Sequence, residues 1–291
     1  MKSLENGSSQ SDFDMWQAEY QRIKELVIRE NMRYSPCKIE GLAGGIYASK
    51  GNKKSDTVVV YSIGAPIMPD FGNLPDAPII TSMGADVFVP DYYGYGRSDG
   101  RFTPSSCIRT LVDAHRFLLE GCTARNTYDA QQTKLCYEKV LFICRSFGAT
   151  FTALLPRYSS IPVASVALVS PCIDNKSQGI VPGEETNELF LESMERDGFH
   201  HVYRGILDPL WNDHLWGRDE YDAMEHVDFL ADTRVFIGHG KNDPVVHHSK
   251  SELYYKRLTE RFPLERNQFR LSQFDGGHGS DTTTPASLSI L

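Results

Sequence analysis

Five short apolar runs, each mostly continuous rather than alternating, constrain what this chain can become: Thr57-Val-Val-Val-Tyr-Ser62, Ala85 to Pro90, Lys139 to Ile143, Ser165 to Ser170 and Arg234 to Gly238. A strand that is apolar on both faces must be covered on both faces, as in a parallel sheet flanked by helices. Helical patterns separate most of these runs. Ser105 to Leu119 puts Ile108, Leu111, Val112, His115, Leu118 and Leu119 on one face, residues 147 to 155 follow Ser146, and Lys250 to Phe262 carries Leu253, Tyr254, Leu258 and Phe262. This alternation predicts an α/β fold on a mostly parallel, doubly wound sheet. Two more β-like segments around Lys38 to Ser49 precede the charged turn Gly51-Asn-Lys-Lys-Ser55, and another runs from Gln268 to Phe274. Residues 173 to about 232 break the rhythm. They mix Gly, Pro and charge with Phe190, Phe199, Tyr203, Trp211, Trp216 and Tyr221, and read as a small cap insertion over the C-terminal strand edge.

With 291 residues, one domain with this insertion is expected over 13–291, behind a flexible polar tail over 1–12. Ser11 or Asp12 would cap a helix whose stripe is Phe13, Trp16, Tyr20, Ile23 and Val27; packing on the parent domain is its expected role. The thirteen residues after His278 lack a helix pattern, so the chain is expected to stop short there or to be closed by its N-terminal helix. No window approaches the roughly 18 apolar residues of a membrane span, and MKSLENGSSQ holds no apolar stretch, so a soluble, cytoplasmic protein is expected. Six cysteines without C-x-x-C spacing read as free thiols, and a net charge of −8 without a long basic run disfavours nucleic acid or anionic lipid as partner. Oligomeric state is not readable.

The run Val140-Leu-Phe-Ile-Cys-Arg-Ser146-Phe-Gly148 is a strand that ends in a serine beside tight-turn residues, the place where α/β enzymes expose a nucleophile. The usual turn is G-x-S-x-G, and here Cys144 replaces the first glycine. Cys144 is expected to be a small buried residue at the strand–helix crossing rather than a thiol nucleophile. A serine needs a histidine base and a carboxylate to orient it. Asp243, in Gly-His-Gly-Lys-Asn-Asp243-Pro, follows the Arg234 strand, and His278, between glycines, follows the last β-like segment. Asp174 and Asp275 are weaker candidates for the acid. His239, Asp243, His247 and His248 are dense enough to suggest metal, but no helical i,i+4 face is available to them. Gly94-x-Gly96 fails the dinucleotide fingerprint because its third glycine stands at 100. Arg145 is expected to form a structural salt bridge. One oxyanion donor is expected from the Phe147 N–H, where the following helix points its positive end.

Together with Asp91-Tyr-Tyr-Gly-Tyr-Gly-Arg-Ser98, these segments resemble the α/β-hydrolases, specifically the branch of serine aminopeptidase-type and monoacylglycerol-lipase-type enzymes. The order Ser146, Asp243, His278 is the order of that family. The resemblance implies acyl transfer through Ser146, with His278 as base, Asp243 as its orienting acid, and no cofactor or metal. It also implies a second oxyanion donor in Ser62-Ile-Gly64-Ala65-Pro66, where the family's histidine is missing; Ala65 is assigned by position, with Gly64 as the alternative. Trp211, Trp216, Phe190 and Tyr203 are the expected lining of an apolar acyl site. A carboxylic ester of an acyl or lipid-like small molecule is the expected substrate, a short peptide the second possibility, and a non-catalytic receptor or interaction module the third.

Overall fold

The computed structural model describes residues 32–49 and 55–290; the tail over 1–12, the Phe13 to Val27 stripe and the turn at 51–54 lie outside the described residues. In chain order the elements are β1 (Met32–Ile39), β2 (Leu42–Ser49), β3 (Thr57–Ser62), α1 (Ala77–Ser82), β4 (Asp86–Pro90), α2 (Pro104–Glu120), β5 (Cys122–Asn126), β6 (Gln132–Leu135), β7 (Lys139–Arg145), α3 (Phe147–Tyr158), β8 (Ser165–Val169), α4 (Asn187–Arg196), α5 (Pro209–Leu215), β9 (Arg234–Gly240), α6 (Ser249–Arg261), β10 (Phe269–Phe274) and α7 (Ser280–Ile290). They build a ten-stranded sheet in the order β10-β9-β8-β7-β3-β4-β2-β1-β5-β6. The six strands from β10 to β4 are parallel, and the rest join through antiparallel pairs. Val58, Val59, Val60, Val87, Phe88 and Val89 are fully buried, as continuous apolar strands require.

From β3 the chain moves to β4 on one side and later returns as β7 on the other, in register Ser62↔Cys144. At such a switch the two outgoing loops diverge, so a crevice opens at the carboxyl ends of β3 and β7. The functional residues gather there.

Three elements depart from expectation. The hairpin β5–β6 comes from Cys-Thr-Ala-Arg-Asn and Gln-Thr-Lys-Leu, which have little apolar pattern; pairing with β1 at Cys37↔Asn126 draws it into the sheet. The short helix α1 has Ala77, Ile79 and Ile80 buried. The C-terminal residues, expected to lack a helix, form α7, which carries Pro285 inside it. Its Thr282, Thr283, Thr284 and Ala286 are buried, with Ala286 against Gly238 of β9, so packing overrides a weak local propensity.

The turn after β4 is a structural clamp. Asp91, fully buried, accepts from Arg97 Nε at 2.8 Å, Nη2 at 3.0 Å and the Arg97 N–H at 2.9 Å. Ser98 Oγ donates to the Asp91 carbonyl at 2.7 Å and accepts from the Ala43 N–H at 2.7 Å, so the G-x-G of this motif serves a tight turn.

Residues 173–232 carry α4, α5 and several single helical turns but no strand. They dock on that turn by main-chain bonds from Phe102 N to Arg204 O (2.7 Å), Arg204 N to Gly94 O (2.9 Å) and Gly96 N to Val202 O (3.1 Å). Beneath them Trp211 stacks on Phe102 at 4.7 Å, Tyr203 lies 4.4 Å from Tyr95, and Phe102 and Trp211 pack on Phe147. Truncating a ring in such a cluster typically costs about 3–5 kcal/mol.

Candidate active site

Ser146 joins β7 to α3 with φ +52° and ψ −124°, in the left-handed region that a serine adopts only when its surroundings impose it. Its N–H donates to Val169 O at 2.8 Å, while its carbonyl accepts from Ala149 N at 3.0 Å and Cys172 N at 3.3 Å. Gly148 makes the bend possible: a Cβ there would stand 2.7 Å from both Ile63 O and the Tyr92 hydroxyl. Cys144 is fully buried, with Thr152 Oγ1 at 2.7 Å, and burial pushes its thiol up to about 12, which leaves it inert.

Three loops from three strand ends bring the expected residues together. His278 Nε2 is 2.9 Å from Ser146 Oγ, and His278 Nδ1 is 2.7 Å from Asp243 Oδ2. A carboxylate at Nδ1 holds the proton on that nitrogen, so Nε2 presents its lone pair to the serine hydroxyl. Asp243 is buried and accepts at Oδ1 from Val245 N (2.9 Å) and Val246 N (3.0 Å). Burial alone would raise its carboxyl, but donors from His239, His278 and the Val246 N–H outweigh it and hold the group well below the usual carboxylate range. The acid and base loops touch, since a Cβ on Gly240 would come within 2.4 Å of Gly276 O and Gly277 O. Asp174 instead accepts from Ser177 Oγ at 2.6 Å, and Asp275 pairs with Lys241 at the surface.

Two supports escaped the sequence reading. Arg145, expected in a salt bridge, makes none among the described residues; its Nη2 donates to the His278 carbonyl, which ties the His278 loop to the strand that ends in Ser146. His239, completely buried, places Nε2 2.9 Å from Val246 O and 3.2 Å from Asp243 Oδ2, with Nδ1 2.6 Å from Ser251 Oγ. No signal along the chain marks either role. His247 and His248 turn away, to Ser249 and Glu252.

A cavity of about 50 Å³ opens at Ser146, and Phe147 and Ala65 line it. Gly64 packs behind the nucleophile: a Cβ there would lie 3.0 Å from Ser146 Cβ. The loop carrying Gly64 and Ala65 is braced by Tyr92, whose hydroxyl donates to Ile63 O at 3.1 Å. Of the four aromatic residues expected to line the site, Phe190 does so. Trp211 and Tyr203 do not: both are buried in the aromatic cluster, with Trp211 Nε1 bound to Phe102 O and the Tyr203 hydroxyl to Ile67 O. Trp216 lies under Arg218 instead. The reason is chemical, because a buried indole or phenol needs a polar partner, and the loops after β3 and β4 supply it to Tyr203 and Trp211.

Solved structures align over nearly the whole chain. An esterase of Pyrococcus furiosus matches at 15% identity and TM-score 0.55, over 88% of this chain and 85% of that one. An acylaminoacyl peptidase of Pyrococcus horikoshii matches at 13% identity and TM-score 0.59, over 91% of this chain and 41% of that one. A puromycin-hydrolyzing peptidase of Mycobacterium tuberculosis matches at 16% identity and TM-score 0.54, over 90% and 38%. The chain spans about two fifths of those two peptidases. No family model and no curated protein sequence matches it. The chain therefore has the α/β-hydrolase fold. Among the described residues no helix is long and apolar enough to cross a membrane.

Proposed function

We propose that this protein is a serine hydrolase that cleaves small carboxylic esters through an acyl-enzyme. The observation that carries the reading is the unbroken hydrogen-bonded chain from Ser146 through His278 to Asp243, at a serine held in the left-handed region. Ser146 Oγ attacks the acyl carbonyl as its proton passes to His278 Nε2. The imidazolium that forms is stabilised by Asp243, and the oxyanion by the Phe147 N–H with that of Ala65, Gly64 being the alternative. His278 then protonates the leaving oxygen, and water taken through the same base releases the acid. The segment 173–232 acts as a cap, and Phe190 is its aromatic contribution to the acyl site. A cavity of about 50 Å³ favours short acyl groups over lipid chains. No step calls for a cofactor. Short peptides remain the second reading because two of the aligned structures are peptidases.

A fluorophosphonate probe and p-nitrophenyl esters from acetate to octanoate test the proposal. Wild type should label, Ser146→Ala should not, and kcat/KM should fall with chain length. An unlabelled wild type, or a labelled variant, overturns the assignment.

A further inference from the structure

The polar side chains lining the cavity include one carboxylate, Glu185, and the amides Asn175 and Asn187. We propose that Glu185, together with the side-chain oxygens of Asn175 and Asn187, forms a subsite for a primary ammonium group beside Ser146, so that preferred substrates carry a positively charged amine next to the scissile carbonyl. The proposal rests on the hydrolase reading above and names its substrate class.

Glu184 and Glu185 are neighbours with opposite roles. Glu184 is buried and fully engaged, with Lys250 Nζ at 2.6 Å and the N–H groups of His247 (2.8 Å) and Gly179 (2.9 Å). Glu185 faces the cavity, and its carboxylate makes no hydrogen bond or ion pair among the described residues. Its main chain is nonetheless anchored: its N–H donates to Pro244 O at 3.0 Å and its carbonyl accepts from Gln178 Nε2 at 2.8 Å. Burial pushes the carboxyl up, and the nearby His278 moderates that shift, so the charge stands close to the catalytic base without a fixed counter-ion.

The amides add direction. Asn175 Nδ2 is spent on the His214 carbonyl (3.1 Å) and Asn187 Nδ2 on the Leu215 carbonyl (2.6 Å). A carbonyl accepts only from the amide nitrogen, which fixes both orientations, and neither Asn side-chain oxygen accepts a hydrogen bond among the described residues. Three acceptors, one of them charged, match the three N–H donors of an ammonium, and a carboxylate in their place would be repelled. The small volume keeps the amine within a few bonds of the carbonyl. It belongs either to the acyl part, as in an aminoacyl ester, or to a small amino-alcohol leaving group.

The test compares isosteres on the full-length chain. For the acyl arm, kcat/KM is measured for p-nitrophenyl alaninate and p-nitrophenyl isobutyrate; for the leaving-group arm, for 2-aminoethyl and propyl isobutyrate. Wild type should favour the amine in one arm, and Glu185→Gln should cut that ratio about 10- to 100-fold, the range of a charged hydrogen bond. The arm that responds names the source of the amine. Glu185→Lys should invert the ratio, which guards against a damaged Gln variant. Calorimetric binding of alaninamide against isobutyramide to Ser146→Ala reads the subsite independently of turnover, whereas fluorophosphonate labelling reads the hydrolase assignment alone. Equal ratios in wild type and Glu185→Gln in both arms, or, where the acyl arm responds, equal binding of the two amides, overturn the proposal.

Discussion

Two glycine-containing turns follow the parallel strands on either side of β3, one after β4 at Asp91–Gly100 and one after β7 at Cys144–Gly148, and they use similar local chemistry to opposite ends. In the first, the buried acid is paired within the turn itself, since Asp91 accepts from Arg97 and its carbonyl from Ser98 Oγ, while Ala43 reaches Ser98 from β2. In the second, the serine is held in the left-handed region and its hydroxyl finds its basic partner only on a loop 132 residues away in sequence. A turn whose buried charge is paired within it serves as scaffold; one whose serine meets its partner from another strand end is a candidate reaction site. Mutations should therefore separate the two turns cleanly, one moving stability and the other rate.

Ser146→Ala should produce the largest effect, a loss of about a million-fold in kcat, with a melting temperature no lower than wild type. Next comes Asp243→Asn, expected to lower kcat about 10⁴-fold by losing control of the His278 tautomer. The same variant has a pH signature. Because folding depresses the Asp243 carboxyl, its stabilising contribution is complete above the unfolded-chain value of about 3.9 and is lost as pH falls below it. Unfolding followed by circular dichroism from pH 6 to pH 2 should thus show a shallower acid decline for Asp243→Asn than for wild type.

On the structural turn, Arg97→Met leaves a buried carboxylate without its partner and should cost about 3–5 kcal/mol in denaturant unfolding. At a permissive temperature the folded variant should keep kcat/KM within a few-fold of wild type. If it instead loses activity as Ser146→Ala does, the division between the two turns fails. Arg145→Met tests the tether between them and the base loop: a drop of about 10- to 100-fold in kcat with KM little changed is the outcome expected of a misplaced His278. The smallest effect concerns Glu185. A half-buried carboxyl pushed up by desolvation destabilises the fold at neutral pH, so Glu185→Gln should raise the melting temperature slightly at pH 7, and the gain should vanish as pH falls through the raised value.

How far the sequence could be read follows from which interactions are local. β3, β4, β7, β8 and β9 were legible because strands buried on both faces announce themselves as continuous apolar runs. Ser146 and Asp243 were legible because each follows such a run, and His278 because it follows a further β-like segment, all three beside small or glycine residues that let a loop turn. β5 and β6 were not, since they are polar and exist through their pairing with β1. Nor was α7, whose threonines and proline argue against a helix until burial against β9 is counted. The aromatics of residues 173–232 divide the same way: they were expected to line the acyl site, but the backbone oxygens that anchor Trp211 and Tyr203 in the packed cluster come from residues 109 and 136 positions distant.

By itself, then, the order of apolar runs and turn residues determined a mostly parallel α/β sheet with a serine, an aspartate and a histidine just beyond three of its strands, because hydrophobic burial and tight turns are written in short stretches of chain. Only the tertiary structure decided that Arg145 grips the base loop, that His239 backs the acid, and that Glu184 is consumed by Lys250 while its neighbour Glu185 is left open to the cavity. Those outcomes depend on which charges and hydrogen-bond donors meet after distant loops converge, and nothing in the local chemistry of two adjacent glutamates distinguishes one from the other.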